Sequence, residues 1–402
     1  MLKQTTLRGQ LPRGVQDWFL ADAAQRADLE ARIGGVFRTW GYSRLIPPTF
    51  EYYENLALGL SAPVQEATYR FLDHRGHTLA LRPDLTIQTA RIVGTKLYDQ
   101  PMPQRYFYVE PVFRYIEVQA GRQREFTQAG IELIGAATPA ADAEVVALAV
   151  EALRAAGLTD FRVSIGHLDF FRALLTEAGL PPEATDSVQE AIDRKSPSLV
   201  RAALNGDHAP AARALEMLPS LVGGPEVLEQ AREVAPWPAA RAALDNLTAI
   251  YDWLARAGMA EPIVIDLAEV RGMNYYTGLT FEAFAGGLGF ALLNGGRYDN
   301  LVGQFGPDCP SVGFALGMDR LMVALGETQT ASHLPDVVVA YSNDPACLAA
   351  VAQLRASGRR VEMDVLGRDA AALSEYARER GIPAVLSWNG ERLSAASQES
   401  ER

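Results

Sequence analysis

Apolar positions recur with two different periods along this chain, and the places where the period changes outline its elements. Over residues 18–40, Leu29, Ile33, Val36, Phe37 and Trp40 recur at helical spacing and predict an amphipathic helix, stopped by Gly41. The Pro47–Pro48 pair that follows belongs in extended backbone. Strands are expected around residues 68–82, 105–118 and 124–135, and a helix from Ala141 to Ala156 carries Val145, Val146, Leu148, Ala149 and Leu153 on one face. Residues 168–258 are rich in Ala, Leu and Glu and read as a helical insertion, broken at Gly179–Pro182 and at Gly223–Pro225. The sheet-forming pattern resumes at Ile263 and ends in a helix after Gly317. Residues 334–388 alternate strand, helix, strand, helix and a short last strand, a small α/β unit in their own right.

These segments predict an α+β chain. Its core, an antiparallel sheet flanked by helices, is expected from residues 1–167 and 259–328, with the helical insertion at 168–258 between the two parts. A small C-terminal α/β domain is expected at 334–390, and residues 391–402 read as a polar tail that stays disordered.

Composition narrows the class. With 402 residues, 48 % hydrophobic and 21 % charged, the chain has room for two or three domains of ordinary globular make-up. Two cysteines, Cys309 and Cys347, offer neither a disulfide framework nor a paired zinc spacing, so no metal site is expected. Met1 to Gln10 lacks an apolar core and no apolar run approaches a membrane span, which predicts a cytoplasmic protein without membrane contact. The formal net charge is −12 and the pI near 5.0, an unfavourable balance for gripping nucleic acid. His167 and His208 stand alone in sequence and read as structural or surface groups.

Candidate chemistry concentrates between Phe107 and Gly135, FYVEPVFRYIEVQAGRQREFTQAGIELIG. Arg114, Glu117, Arg122, Arg124, Gln128 and Glu132 interrupt runs rich in Phe, Val, Ile and Tyr. Buried charge is costly unless paired or bound. The hairpin is therefore either the floor of a polar-ligand pocket or an amphipathic pair with one wet face.

The same segment resembles motif 2 of the class II aminoacyl-tRNA synthetases, in its histidyl version. Leu11–Asp17 (LPRGVQD) and Gly41–Glu51 (GYSRLIPPTFE) resemble that family's opening and motif 1, and Leu81–Thr86 (LRPDLT) its amino-acid loop. Val270–Glu282 (VRGMNYYTGLTFE) resembles the histidyl signature, while Gly295–Asp299 (GGRYD) and Gly313–Leu321 (GFALGMDRL) resemble the last catalytic strands and motif 3. The resemblance implies a class II synthetase-like sheet whose first helix and strand form a dimer interface. It implies a histidine site in which Asp84, Gln128 and Glu132 face the amino group and Thr86 holds the ligand's backbone. Arg271 would lie near the carboxylate, and Tyr276 and Tyr298 at the imidazole end. Arg114 and Arg320 match the two arginines that clamp ATP, making them candidate nucleotide contacts.

Departures from the synthetase pattern point further. Asp84–Leu85 stands where the family has Glu–Gly, Thr127 where it has His, Asn274 where it has Asp and Asp319 where it has Glu. Residues 331–402 carry eight Arg, no Lys and ten Asp plus Glu, and the family's final strand and helix are not evident after Trp388. Together these resemble a non-aminoacylating branch, the regulatory subunits of ATP phosphoribosyltransferase. That likeness implies no catalytic residues and no cofactor of the chain's own. It implies partnership with a short-form catalytic phosphoribosyltransferase subunit in a hetero-oligomer containing a homodimer of this chain, histidine as effector, and no tRNA. A working histidyl-tRNA synthetase is the alternative reading, and a stand-alone binding protein a third.

Overall fold

The structure, a computed structural model, describes residues 7–118, 123–205, 209–270, 275–326 and 333–395. Its contacts separate into two units, residues 1–17 with 28–326 and residues 18–27 with 327–402.

The first unit contains twelve strands among the described residues: β1 Ser43–Arg44, β2 Phe50–Tyr52, β3 Arg70–Leu72, β4 Thr78–Leu81, β5 Gln104–Phe113, β6 Glu125–Ile134, β7 Phe161–His167, β8 Val222–Gly223, β9 Ile263–Asp266, β10 Leu279–Ala285, β11 Leu293–Arg297 and β12 Ser311–Gly317. Nine form one sheet in the order β1-β5-β6-β12-β11-β10-β7-β9-β8, and β2, β4 and β3 form a small separate sheet. The large sheet is mixed: β1–β5 and β7–β9 pair in parallel, and its other neighbours run antiparallel. The segment expected as one strand at 68–82 is a hairpin, because Asp73 accepts from the Arg75 and His77 backbone N–H groups and turns the chain between β3 and β4.

One face of the sheet is covered by helices. In α1, Leu20–Thr39, the predicted apolar stripe buries Leu29, Ile33 and Phe37 completely. Phe37 packs against Phe107 and Phe314 at ring separations of 5.7 and 5.9 Å. The α-helix Pro139–Ala156 starts where the Thr138 hydroxyl accepts the Ala141 N–H and ends at Gly157, whose φ of 98° releases the chain. Twelve of its eighteen residues are buried, so this helix runs through the core and does not border it. The helices over 168–258 enclose the same core, through residues such as Phe170, Leu215, Leu244 and Leu247. After β12, Gly317 leads into the helix Met318–Leu325.

The second unit has a four-stranded sheet, β13 Val337–Val339, β14 Val361–Met363, β15 Val385–Trp388 and β16 Leu393–Ala395, in the order β14-β13-β15-β16. Helices Pro345–Ala356 and Ala370–Arg380 are capped by Asp344 and Asp369. The strand β16 corrects the expectation of a disordered polar tail from residue 391. The Asn389 side chain accepts the Glu391 and Arg392 N–H groups and turns the chain, and β16 then pairs antiparallel with β15. Among the described residues, no helix is long and apolar enough to cross a membrane.

Candidate functional site

Successive strand residues face opposite sides of a sheet, so β6 divides cleanly. Ala129, Ile131 and Leu133 enter the apolar core, and Gln128, Gly130 and Glu132 line the other face. The register extends that second face across the sheet. Glu132 lies between Tyr106 of β5 and Gly313 of β12, and Gly130 lies between Tyr108 and Ala315. Gly313 is followed by Gly296 of β11 and then Thr280 of β10. The centre of this face is thus floored by residues with little or no side chain.

Two of those glycines are required by contact. A Cβ on Gly313 would overlap the Glu132 carboxylate and the Ile131 carbonyl. A Cβ on Gly130 would overlap the Phe314 carbonyl and come within 2.6 Å of the Tyr108 hydroxyl. The vacant floor leaves space for a carboxylate flanked by phenols.

Glu132 is 1 % exposed. The Tyr108 hydroxyl donates to its Oε1 at 3.1 Å and the Tyr298 hydroxyl donates to its Oε2. Burial pushes the Glu132 carboxyl up to about 8; the Tyr298, Thr86 and Tyr108 hydroxyls pull it down and the nearby Asp84 pushes it up. No cationic side chain pairs with it among the described residues. Above it, Asp84 accepts the Thr86 N–H at 2.8 Å, and longer contacts to Asp84 come from Arg114 at 3.4 Å and Gln128 at 3.5 Å. Thr86 and Tyr108 hydroxyls lie 3.5 Å apart, joining the two carboxylate clusters. The Gln128 Oε1 is buried with no partner among the described residues.

Aromatic rings close the side. Tyr275 stacks on Tyr298 at 5.7 Å with 20° between planes, and meets Tyr276 edge-on at 4.9 Å. Burial raises the phenol pKa of Tyr108, Tyr275, Tyr276 and Tyr298, so all four are hydroxyl donors at neutral pH.

Two arginines act as supports. Arg82, 2 % exposed, donates to the Pro111 and Pro47 carbonyls at 2.7 Å each and holds the loop that carries Asp84 and Thr86. Arg297 donates to Asp142 at 2.7 and 3.0 Å and to Asp299 at 3.0 Å, fixing the chain on both sides of Tyr298. Leu85, where a glycine was expected by resemblance, is fully buried with Tyr108 and Val112 beneath the loop. Asp319 reaches the Thr127 N–H at 3.0 Å.

Of the residues singled out by sequence, Asp84, Thr86, Gln128, Glu132, Tyr298 and Arg114 meet in this network, and Tyr276 joins through Tyr275. Arg320 donates to the Ala291 carbonyl at 2.6 Å and lies over the Phe290 ring. Arg271 and Asn274 lie outside the described residues. Tyr108 and Tyr275 were missed; the alternation Tyr106–Tyr108–Glu110 opposite Glu132–Gly130–Gln128 was the available signal for the first. His167, read as structural, caps the helix Leu168–Ala178, and burial lowers its pKa to about 4.

A separate cavity of about 610 Å³ opens between Ile46, Phe50, Tyr52, Leu79, Arg91 and Lys96. Here the expected apolar surface is redistributed. Phe37 is fully buried within the chain and Trp40 is half-buried, donating to Glu151, whereas Ile46 and Phe50 are 70 % and 52 % exposed.

A glycine-floored sheet carrying this constellation defines a histidyl-synthetase-like protein, and the family model for histidyl-tRNA synthetase matches residues 14–321. The fold agrees with a histidyl-tRNA synthetase from Nostoc sp. PCC 7120 at a TM-score of 0.82, 22 % identity and coverage of 95 % and 92 % of the two chains. A structure from Bacillus halodurans C, described as an ATP phosphoribosyltransferase regulatory subunit/histidyl-tRNA synthetase, matches at a TM-score of 0.83 with 31 % identity, covering 95 % of this chain and 99 % of that one. The ATP phosphoribosyltransferase regulatory subunit of Moorella thermoacetica is 41 % identical over 95 % of this chain and 98 % of its own length. That of Geobacter metallireducens is 38 % identical over 98 % and 93 %. The chain belongs to the family of ATP phosphoribosyltransferase regulatory subunits, a histidyl-tRNA synthetase-like family.

Proposed function

We propose that this chain acts in histidine biosynthesis as the regulatory subunit of ATP phosphoribosyltransferase, and that the pocket around Glu132 senses free histidine. One observation carries the sensing role: a carboxylate 1 % exposed, held by two tyrosine hydroxyls over a glycine floor, with no cation beside it among the described residues. Such a group holds its proton while the site is empty, and a proton-donating nitrogen of a ligand would favour its ionised form. In this reading Glu132 is the anchor, Asp84, Gln128 and Thr86 surround the ligand's amino group and backbone, Arg271 takes the carboxylate, and Tyr276 and Tyr298 shape the imidazole end. Discrimination follows because an analogue lacking a polar group strands a buried partner.

The synthetase chemistry is degenerate in this reading. Leu85 fills the loop with a side chain, and Arg114 already donates to the Pro83 carbonyl at 2.8 Å and to Asp84. A triphosphate at Arg114 and Arg320 would compete with those bonds. The chain is non-catalytic, requires a separate short-form catalytic subunit, self-associates through the segment that carries the exposed Ile46 and Phe50, and does not handle tRNA; the acidic balance of residues 331–402 supports the last point.

The test is co-purification with a short-form catalytic phosphoribosyltransferase and assay with and without histidine. Activation by this chain and inhibition by histidine are expected. Histidine-dependent tRNA charging by the chain alone would favour the alternative, a working synthetase, and would refute the proposal.

A further inference from the structure

The helices Leu168–Ala178 and Pro182–Asp193 carry none of the network residues, yet they donate to the main chain at Val270, Tyr276 and Gly278. Arg172 Nη2 donates to the Tyr276 carbonyl at 2.6 Å while its Nη1 donates to Asp169 at 2.9 Å. Gln189 Nε2 donates to the Val270 carbonyl at 3.2 Å. The Leu168 N–H, at the start of the first helix, donates to the Gly278 carbonyl at 2.9 Å. From the opposite side, the Thr277 N–H donates to the Arg297 carbonyl at 2.7 Å. Residues 276–278 are therefore gripped between the helical layer and β11, the strand that leads into Tyr298.

Resting on the reading that the pocket binds histidine, we propose that Arg172 and Gln189 are positioning residues that couple pocket occupancy to this pair of helices. The chain of contacts is short. Arg172 fixes the Tyr276 backbone, the Tyr276 ring lies over Gly296 and meets Tyr275, Tyr275 stacks on Tyr298, and Tyr298 donates to Glu132. A ligand seated against Glu132 and Tyr276 restrains the rings. Because the carbonyl of Tyr276 is bonded to a helix side chain, the same restraint reaches residues 168–193. Coupling is reciprocal, so loosening the helices weakens the ligand.

The experiment pairs calorimetry with histidine and hydrogen exchange of the full chain, for wild type, Arg172→Met, Arg172→Lys and Gln189→Met. In wild type, saturating histidine slows exchange in residues 168–193 as well as in β5 and β6. Arg172→Met weakens histidine by about tenfold, the value of one charge-assisted hydrogen bond, and loses the histidine-dependent slowing in 168–193 while keeping it in β6. Arg172→Lys, which retains a charged donor, recovers part of both. A merely structural arginine would speed exchange with and without ligand alike and leave the increment intact, and that result overturns the proposal. Gln189→Met supplies the same comparison from the second helix if Arg172→Met fails to fold. Histidine binding to wild type with no change in 168–193 overturns the coupling alone; no binding to wild type overturns the pocket reading and the coupling with it.

Discussion

Replacing Glu132 with Gln keeps the shape of the buried group and removes its charge, so it isolates the electrostatics of the pocket. In the empty protein burial pushes this carboxyl up to about 8, so at pH 7 about nine molecules in ten carry it protonated. A ligand ammonium or imidazole N–H favours the carboxylate, so binding at pH 7 expels close to one proton. Ionising the group first costs about 1.4 kcal/mol at pH 7, a cost that has mostly vanished at pH 8.5. Histidine should therefore bind wild type about fivefold more tightly at pH 8 than at pH 7, and level off above that.

The Gln variant offers no carboxylate at any pH. It loses a charge-assisted hydrogen bond worth roughly 1.5–3 kcal/mol, a loss of about ten- to a hundredfold in affinity, fully visible at pH 8.5 and smaller at pH 7. Calorimetry in two buffers of different ionisation enthalpy counts the protons released. The ligand's own imidazole titrates near 6.5, but this contribution is common to both proteins and cancels in their difference. If wild type and Glu132→Gln release equal numbers of protons and keep a constant affinity ratio from pH 7 to 8.5, Glu132 does not ionise on binding and the anchor lies elsewhere.

The same raised pKa bears on stability. Folded Glu132 holds its proton up to about pH 8 and the unfolded chain releases it near 4.5, so its contribution declines as pH rises between those values; the wild-type melting temperature should fall relative to that of Glu132→Gln across that window. Gly313→Ala places a methyl against the Glu132 carboxylate and should abolish histidine binding in calorimetry. Arg297→Met strands the buried Asp142 and should cost about 3–5 kcal/mol in denaturant unfolding, with much of it recovered in the double variant with Asp142→Leu. Ile46→Glu with Phe50→Glu should convert a self-associating chain to a monomer in light scattering, and a monomeric wild type at micromolar concentration refutes the interface.

How much of this was legible beforehand depended on whether the signal was local. The apolar runs of β5 and β6 and the helical stripe Leu29–Ile33–Phe37 are local; β6 and the helix lie where the pattern put them, while β5 ends at Phe113, short of the expected residue 118. Parallel pairing of the two-residue strand β1 with β5 is not local, because Ser43 pairs with Tyr106, 63 residues further on, and nothing in Ser43–Arg44 names it. Arginines posed the same problem at the site. Arg82, Arg297 and Arg114 look alike in sequence, yet the first two are internal braces on carbonyls and Asp142, while Arg114 bonds both the Pro83 carbonyl and the network carboxylate Asp84. Only the fold distinguishes an arginine that supports a pocket from one that faces a ligand. The first helix, implied by resemblance to join a dimer interface, carries an amphipathic stripe that does not say which molecule covers it; within this chain Phe37 is fully covered and Trp40 half-covered.

If the proposed sensor is right, Asp84 and Glu132 divide the work of recognition by their surroundings. Asp84 sits at the rim with an N–H, an arginine and an amide already upon it, so a ligand there exchanges one set of donors for another with little change in charge. Glu132 sits at the floor among the hydroxyls of Tyr298, Thr86 and Tyr108, and a ligand that donated to it would change its protonation state. A ligand moves an equilibrium only as far as its affinities for the two states differ. The protonation step at Glu132 supplies such a difference, since the ionised form draws the hydroxyls of Tyr108 and Tyr298 more strongly than the neutral acid does. Tyr298 is braced by Arg297 on one side and stacked on Tyr275 on the other. A pull on Tyr298 would therefore bear directly on Tyr275, the ring stacked against it. On this argument a ligand that only fills the rim at Asp84 binds but does not signal, whereas one that reaches Glu132 does both.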